Sequence, residues 1–304
     1  MHQQFNPKNK DLLININGKL IHRDQAGISP FDSLVQGGDG VWEGLRLYAG
    51  CIFKLDEHLQ RLQDSAKAMA FKDIPDKTFL TEEIRKTLIA NEMYDGVHIR
   101  LTLSRGLKYT SGMDPRLNTF GATWIVLPEH KPPVYDKAGL RLSTSSIRRF
   151  PPDCLDPKIH SNNLIQSILA KIQANAAGAD DALMLDLDGF VAETNATHVF
   201  LVRDGVVRTS YTKACPEGIT RATVLELCGR HGIPFEVADL SLTDVYRAGE
   251  MFCTGTMGEL AAVIEVDGRQ IGDGAAGPVT MALSQHFAAF VAESGQRILE
   301  PPQK

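Results

Sequence analysis

The sequence is poor in cysteine: five of its 304 residues are cysteines, at positions 51, 154, 215, 228 and 253. They are scattered, odd in number and never spaced as CxxC. This pattern argues against a disulfide framework and against a cysteine zinc site. We therefore expect reduced thiols in a cytoplasmic protein and no metal site.

Positive charge is not in excess, because 32 lysines and arginines face 37 aspartates and glutamates and give a net charge of −5. This balance argues against nucleic acids and anionic membranes as partners. No apolar run is long enough to span a bilayer, and the start MHQQFNPKNKDLL lacks the apolar core of a secretory signal. We expect a globular protein.

Hairpins and helices mix in the first 127 residues. Asn17-Gly18 and Ala49-Gly50 each separate two apolar stretches, which predicts two β-hairpins. Apolar residues recur at helical spacing after Asp56, and a second helix fits residues 80–91. Because strands and helices do not alternate strictly, we predict that residues 1–127 form a small N-terminal domain of mixed helices and strands, of the α+β class rather than the strictly alternating α/β class.

The proline-rich stretch PEHKPPVYDKAG predicts an interdomain linker over residues 128–139. A larger domain over residues 140–304 would follow, with a helix from about 161 to 177, several hairpins and a closing helix. The polar run Ser161-Asn162-Asn163 is placed to cap the first of these helices.

Lys158 follows a proline in the stretch DPKIHSNN. Pro157 restricts the backbone before it, so the lysine sits on a braced loop. Such a lysine is a candidate Schiff-base amine, because burial frees the neutral, nucleophilic form of a lysine. The alternative is a solvated surface charge.

Glu193 follows a turn and a short strand in GFVAETNATHVF. A carboxylate held there could face the cationic ring nitrogen that pyridoxal 5'-phosphate (PLP) needs to act as an electron sink. The alternative is a hairpin glutamate that faces solvent.

Two stretches are suited to bind an anion. PEGITRATVLEL opens a helix with Gly218-Ile219-Thr220, and CTGTMGEL places Gly255-Thr256 after a strand. Small residues at such positions expose backbone N–H groups, although plain helix capping would look the same. Arg61 in DEHLQRL could add a guanidinium, or it could lie on a solvated helix face.

Together these segments resemble the class IV (fold type IV) PLP-dependent aminotransferases, which include branched-chain and D-amino-acid aminotransferases and aminodeoxychorismate lyase. The resemblance runs through GDGVWEGLRLY, FKLDEHLQRLQDSAKAM, the Lys158 loop, GFVAETNATHVFLVRDGVV, GITRATVLEL, TGTMGEL and VIEVDGRQIGDGAAGPVT. It implies a small α/β domain, a linker and a larger pseudo-barrel domain, with PLP between the domains and protomers paired as homodimers.

The resemblance also implies roles. Lys158 would form the Schiff base with PLP, and Glu193 would pair with the pyridine nitrogen. The phosphate would be held by Arg61, the Ile219 amide, Thr220 and Thr256. Thr256 and the amide of Met257 would also face the substrate carboxylate.

The residues expected to contact the substrate match two different groups within the family, the branched-chain enzymes and the D-amino-acid enzymes. Trp42 and Arg46 of VWEGLRLY fill the places found in branched-chain enzymes, and Arg100 matches their arginine for the glutamate side chain. Arg105 of SRG instead matches the arginine that holds the α-carboxylate in D-amino-acid enzymes. Tyrosines expected in branched-chain enzymes are replaced by Gly37, His98 and Asn163.

We therefore expect transamination between a branched-chain L-amino acid and a 2-oxo acid such as 2-oxoglutarate. A D-amino acid or an (R)-amine is the alternative donor. Lyase activity on aminodeoxychorismate is a more distant reading, as is a non-catalytic binding protein that kept the fold.

Overall fold

The computed structural model describes residues 4–133, 135 and 138–301. Within them the chain forms two compact units. The first contains the chain up to Pro132, together with Ile159–Asn163 and the residues from Ala292 onward. The second contains Pro133–Lys158 and Leu164–Val291. The predicted domain boundaries stay a prediction, and Val134, Asp136 and Lys137 of the predicted linker lie outside the described residues.

The first unit is built on a seven-stranded sheet with the order β16-β4-β3-β5-β6-β1-β2. Both predicted hairpins are confirmed, β1 pairing with β2 and β3 with β4. The first turn works because Asn17 and Gly18 both take positive φ, at 51° and 80°. The strands of this sheet are β1 Leu13–Ile16, β2 Lys19–His22, β3 Gly40–Tyr48, β4 Cys51–Ile52, β5 Val97–Ser104, β6 Thr123–His130 and β16 Gln296–Arg297.

Helices α1 Ser33–Gly37, α2 Leu55–Ala68 and α3 Lys77–Ala90 belong to the same unit. The apolar spacing after Asp56 correctly predicts α2, whose leucines and Ala66 enter the core of the unit. The second helix begins earlier than its apolar pattern suggests. Its start is set by Asp76, whose Oδ1 accepts a hydrogen bond from the Phe79 amide at 2.7 Å.

The second unit is built on a nine-stranded sheet with the order β12-β11-β10-β13-β14-β7-β8-β9, with β15 paired to β14. A separate apolar core lies against it. Its strands are β7 Leu140–Thr144, β8 Asp181–Leu185, β9 Val191–Thr194, β10 His198–Arg203, β11 Val206–Thr209, β12 Phe235–Val237, β13 Glu250–Gly255, β14 Glu259–Val266 and β15 Arg269–Gln270. The later helices are α4 Pro152–Leu155, α5 Ile165–Ala176, α6 Ile219–Arg230, α7 Leu242–Tyr246 and α8 Pro278–Ser294.

The predicted capping role of Ser161-Asn162-Asn163 is wrong. Helix α5 begins at Ile165, and Leu164 occupies its N-cap position without a side-chain cap. The polar run pairs with β3 instead: Ser161 forms a bridge with Val41, and the Asn162 amide donates to the Gly40 carbonyl at 2.8 Å. Long-range backbone pairing thus decides the conformation of this segment.

Among the described residues, no helix has both the length and the apolar character needed to cross a membrane.

Candidate active site

Lys158 lies on the loop between α4 and α5, in the second unit. The Asp156 carboxylate accepts a hydrogen bond from its backbone amide at 3.0 Å, so the loop is braced as expected. The side chain is not buried, because 50% of it is exposed, and this part of the expectation is wrong. Its Nζ lies 3.1 Å from the Glu217 carboxylate.

Glu193 is buried on β9, with a relative exposure of 4%, which excludes the solvent-facing alternative. Its Oε1 lies 3.0 Å from Nη2 of Arg149. Arg149 is itself fixed, since it donates to the Ser167 hydroxyl at 3.0 Å and to the Thr194 carbonyl at 2.7 Å. The sequence interpretation missed Arg149. The paired arginines directly before Phe150 were the available signal.

The thiol of Cys215 is buried in the second unit. Burial raises its pKa, and the negative charge of Glu193 raises it further, while Arg221 and Arg149 oppose the change. Glu217, the partner of Lys158, also acts on this thiol. Glu193 and Glu217 thus belong to the same unit, and both raise the pKa of this thiol.

The N-terminus of α6 is shaped by Gly218. A Cβ atom at this position would lie 2.3 Å from Cδ2 of His198, so the close approach requires glycine. No side chain of the described residues caps this helix at Gly218. The amides of Ile219 and Thr220 stand in the first turn, where an anion is favoured.

The turn Thr256–Gly258 joins β13 to β14 at the same end of the sheet. His198, whose ring meets Gly218, pairs in register with Thr254 just before this turn. The strand pairing therefore brings the start of α6 and the turn with Thr256 and Met257 to a common end of β10 and β13.

Arg61 lies on α2 of the first unit, where its side chain is mostly buried rather than on a solvated face. It donates from Nε and Nη2 to the two carboxylate oxygens of Glu43, each at 2.7 Å, and His58 lies 2.6 Å from the same carboxylate. Burial raises the pKa of Glu43, but the charges of Arg61 and His160 and the hydrogen bonds outweigh it and hold the pKa at about 2. Glu43, which sequence reasoning did not single out, thus orients Arg61 as a charged partner.

Arg46 and Arg100 place two guanidinium groups beside His98 on β3 and β5, where Arg46 pairs with His98 and Gly44 with Arg100. The Arg100 guanidinium lies 3.9 Å from the centroid of the Trp42 ring. Burial lowers the pKa of His98 to about 3, helped by the charges of Lys131, Arg100 and Arg46. His98 is therefore neutral between two arginines.

Arg46 has an exposure of 6%, and its Nε and Nη1 have no hydrogen-bond partner among the described residues. A buried guanidinium with unpaired N–H groups is costly unless an anion meets it. This group therefore favours a carboxylate ligand.

Arg105 has a different environment. Its guanidinium donates to both carboxylate oxygens of Asp39, at 2.6 and 3.0 Å, and to the carbonyls of Met69 and Ala70. Four hydrogen bonds within the first unit already occupy it, so its contacts are those of a structural arginine.

The donor set of the second unit fits PLP. An amine is available on Lys158, a buried carboxylate on Glu193, and uncapped amides at the start of α6. These groups match the aldehyde, the ring nitrogen and the phosphate of the cofactor.

The family model described as Amino-transferase class IV matches residues 40–266. A branched-chain-amino-acid aminotransferase-like protein of Arabidopsis thaliana is 52% identical over 95% of this chain, and the chain spans about half of its length, 52%. A putative branched-chain-amino-acid aminotransferase of Methanocaldococcus jannaschii is 39% identical over 94% of this chain and 99% of its own. A D-alanine aminotransferase of Bacillus licheniformis is 31% identical over 87% of this chain and 92% of its own.

Solved structures of branched-chain amino acid aminotransferases also match this chain. The branched-chain amino acid aminotransferase of T.th. complexed with N-(5'-phosphopyridoxyl)-L-glutamate matches with a TM-score of 0.89 at 32% identity, over 95% of this chain and 99% of its own. The same enzyme with pyridoxamine 5'-phosphate matches with a TM-score of 0.88 at 32% identity and the same coverage.

Proposed function

Because the chain belongs to the class IV aminotransferases and has their fold type IV architecture, we propose that it transfers the amino group of a branched-chain L-amino acid to a 2-oxo acid such as 2-oxoglutarate. PLP is the proposed cofactor, and a homodimer in the cytoplasm is the proposed working form. The observation that carries the proposal is the buried Glu193 carboxylate held by Arg149, in the same unit as Lys158.

PLP, when bound, supplies an electron sink for the electron pair that remains on the α-carbon of the donor when its α-proton leaves. Lys158 would hold the cofactor covalently and, once released, its Nζ would move the α-proton of the donor as general base and then acid. Glu193 would keep the ring nitrogen protonated, and Arg149 would fix the orientation of its carboxylate. The Ile219 and Thr220 amides, the Thr256 hydroxyl and Arg61 would bind the phosphate.

The choice of 2-oxoglutarate rests on Arg46 and Arg100. One buried guanidinium with unpaired N–H groups and a second one stacked on Trp42 suit the far carboxylate of a dicarboxylate. The contacts of Arg105 support L-amino acids over D-amino acids, because its guanidinium is already engaged by Asp39. The D-alanine aminotransferases among the relatives, and the replacement of tyrosine by His98, keep a D-amino acid or (R)-amine as the second candidate donor.

A single-turnover assay with the PLP-loaded protein tests the proposal. L-leucine and L-isoleucine should convert the cofactor to its amine form, as followed by absorbance, at least tenfold faster than D-alanine or an (R)-amine. Faster conversion by D-alanine would contradict the L-specific assignment, and no conversion by any donor would contradict the transaminase assignment.

Borohydride reduction tests Lys158 directly. Reduced protein should carry the cofactor on the peptide that contains Lys158, and Lys158→Ala should lose both the adduct and turnover. Lys213→Ala is the matched control, since Lys213 is an exposed lysine of the same unit paired with Asp239. An adduct on another lysine would refute the assignment.

A further inference from the structure

The two glycines around the Thr256–Gly258 turn are each in close contact with a side chain from elsewhere in the second unit. A Cβ on Gly258 would lie 2.1 Å from Cδ2 of Tyr135, and a Cβ on Gly255 would lie 3.1 Å from Cγ2 of Thr197. The backbone of the turn is thus placed directly on these two side chains, and Tyr135 covers the end next to Met257.

Tyr135 is itself fixed by a hydrogen bond. Its hydroxyl donates to Oδ2 of Asp181 at 2.8 Å. Asp181 is buried at the start of β8, and its other oxygen lies 3.3 Å from Nζ of Lys171. Burial raises the pKa of Tyr135 well above its usual value, with the charges of Asp181 and Cys253 adding to the effect, so the phenol stays a donor.

The same carboxylate reaches the segment that follows Glu193. Asn195 donates from Nδ2 to Oδ1 of Asp181 at 3.2 Å and accepts from the Ala182 amide at 2.7 Å. Thr197, which meets Gly255, ends this segment and is tied to Thr194 through hydrogen bonds. One network therefore connects the turn with Thr256 and Met257 to the strand with Glu193.

We propose that Tyr135 is a positioning residue: its ring, anchored by the hydrogen bond to Asp181, holds the Thr256–Gly258 turn in the form that binds the cofactor phosphate and the substrate carboxylate. This inference rests on the proposed function. Without this hydrogen bond the turn still joins β13 to β14, but its amides and the Thr256 hydroxyl lose their fixed orientation. The binding of the cofactor phosphate and the substrate carboxylate then weakens.

Tyr135→Phe removes the hydroxyl and keeps the ring. We expect the dissociation constant of PLP on the cofactor-free protein and the KM for L-leucine each to rise about 3- to 10-fold, the loss expected for one buried hydrogen bond. The kcat should change less than about twofold, because no reacting atom is touched. Tyr246→Phe is the matched control, since its hydroxyl donates to Asp267 at the same 2.8 Å in the same unit.

Gly258→Ala tests the ring contact. The added methyl must displace Tyr135 or the turn, so PLP affinity should fall more than in Tyr135→Phe. Adding Tyr135→Ala to Gly258→Ala should relieve the clash and recover part of the lost thermal stability, whereas Tyr135→Ala alone should be destabilising. Independent, additive effects of the two changes would show that the contact does not matter.

The outcomes separate two failures. An unaltered protein that neither binds PLP nor transaminates would overturn the proposed function. An unaltered protein that binds PLP, with a Tyr135→Phe variant that loses thermal stability as Tyr246→Phe does but keeps its PLP affinity and KM, would overturn the positioning role.

Discussion

At the scale of single residues, the two arginines of β3 and β5 give the sharpest prediction. Arg100→Gln and Arg46→Gln should each lower kcat/KM for 2-oxoglutarate about 10- to 100-fold, because each removes a charge-assisted hydrogen bond to the far carboxylate. Conversion of L-leucine should change less than about threefold in the half-reaction assay, since leucine has no second carboxylate.

Arg85→Gln serves as the control for these variants. Arg85 is an exposed α3 residue paired with Glu82, and losing that pair should affect neither substrate. If the Arg46 and Arg100 variants lose equal activity with L-leucine and with 2-oxoglutarate, neither arginine binds the far carboxylate of 2-oxoglutarate.

Buried ionisable groups of the first unit predict acid sensitivity. The folded pKa of His160 is lowered to about 4, by burial first and by the charges of Arg61 and His58, although Glu43 opposes the shift. The folded pKa of Glu43 is lowered to about 2 from a usual 4.5. Both groups bind protons more weakly when folded, so each stabilises the protein above its usual pKa, and this contribution is lost as pH falls through the folded value.

We therefore expect the free energy of unfolding to fall as pH drops from about 6.5 to 4 through His160 and His98, and further from 4.5 toward 2 through Glu43. Urea unfolding at a series of pH values measures this. In His160→Asn the loss between pH 6.5 and 4 should be smaller, and an unchanged slope would contradict the assignment.

Single residues also show which parts of the candidate site could be predicted from the sequence. Glu193 could be proposed from its own surroundings, because a turn, a short strand and small polar neighbours are local features. Glu43 could not, since its importance comes from partners elsewhere in the chain. For Arg149 the pair of adjacent arginines to which it belongs was a signal, but that pair did not indicate its partner Glu193. The role of Lys158 stays a prediction, and its half-exposed amine lies 3.1 Å from the Glu217 carboxylate, a contact that no local pattern indicates.

At the scale of secondary-structure elements, Gly218 permits a direct test of the α6 N-terminus. Gly218→Ala should force the start of α6 away from His198 and weaken PLP binding more than tenfold, because the first-turn amides would be displaced from the phosphate. Gly229→Ala in the same helix is the control. Its new methyl would lie 4.0 Å from Phe235, so it should keep PLP affinity and even stabilise the helix.

Titration of each cofactor-free variant with PLP, followed by fluorescence, gives the two dissociation constants. A Gly218→Ala protein that binds PLP as tightly as Gly229→Ala would remove the α6 amides from the proposed phosphate site.

Elements defined by local chemistry were predictable, and elements defined by distant pairing were not. The two hairpin turns follow from Asn17-Gly18 and Ala49-Gly50, in each of which the glycine takes a φ of 80°. The run Ser161-Asn162-Asn163 carries a good capping signal, yet pairing with β3 prevails over it. Strand β16, at the edge of the first sheet, comes from the last part of the chain and has no local pattern that indicates its partner β4.

At the scale of the whole molecule, PLP should act as a stabilising ligand. If it binds the folded chain alone, free PLP at 100 times its dissociation constant should add about 2.7 kcal/mol to the free energy of unfolding. Thermal unfolding with and without PLP measures this, and pyridoxal without phosphate is the control that should stabilise less. Equal midpoints with PLP and with pyridoxal would show that the phosphate contacts contribute nothing.

The division of the chain limits how this protein could have changed during evolution. The first unit is assembled from three separate stretches of sequence, and the second is interrupted by one of them, the segment Ile159–Asn163 directly after Lys158. A gene fragment that ends at Pro132 would keep β3 beside β4 but would lack β16, the other strand partner of β4, and the segment that pairs with β3. Recombination between two relatives at a single crossover would therefore combine stretches from different parents within one unit. Hybrids should fold only where the residues that pack together across the two interruptions of the first unit are compatible in both parents.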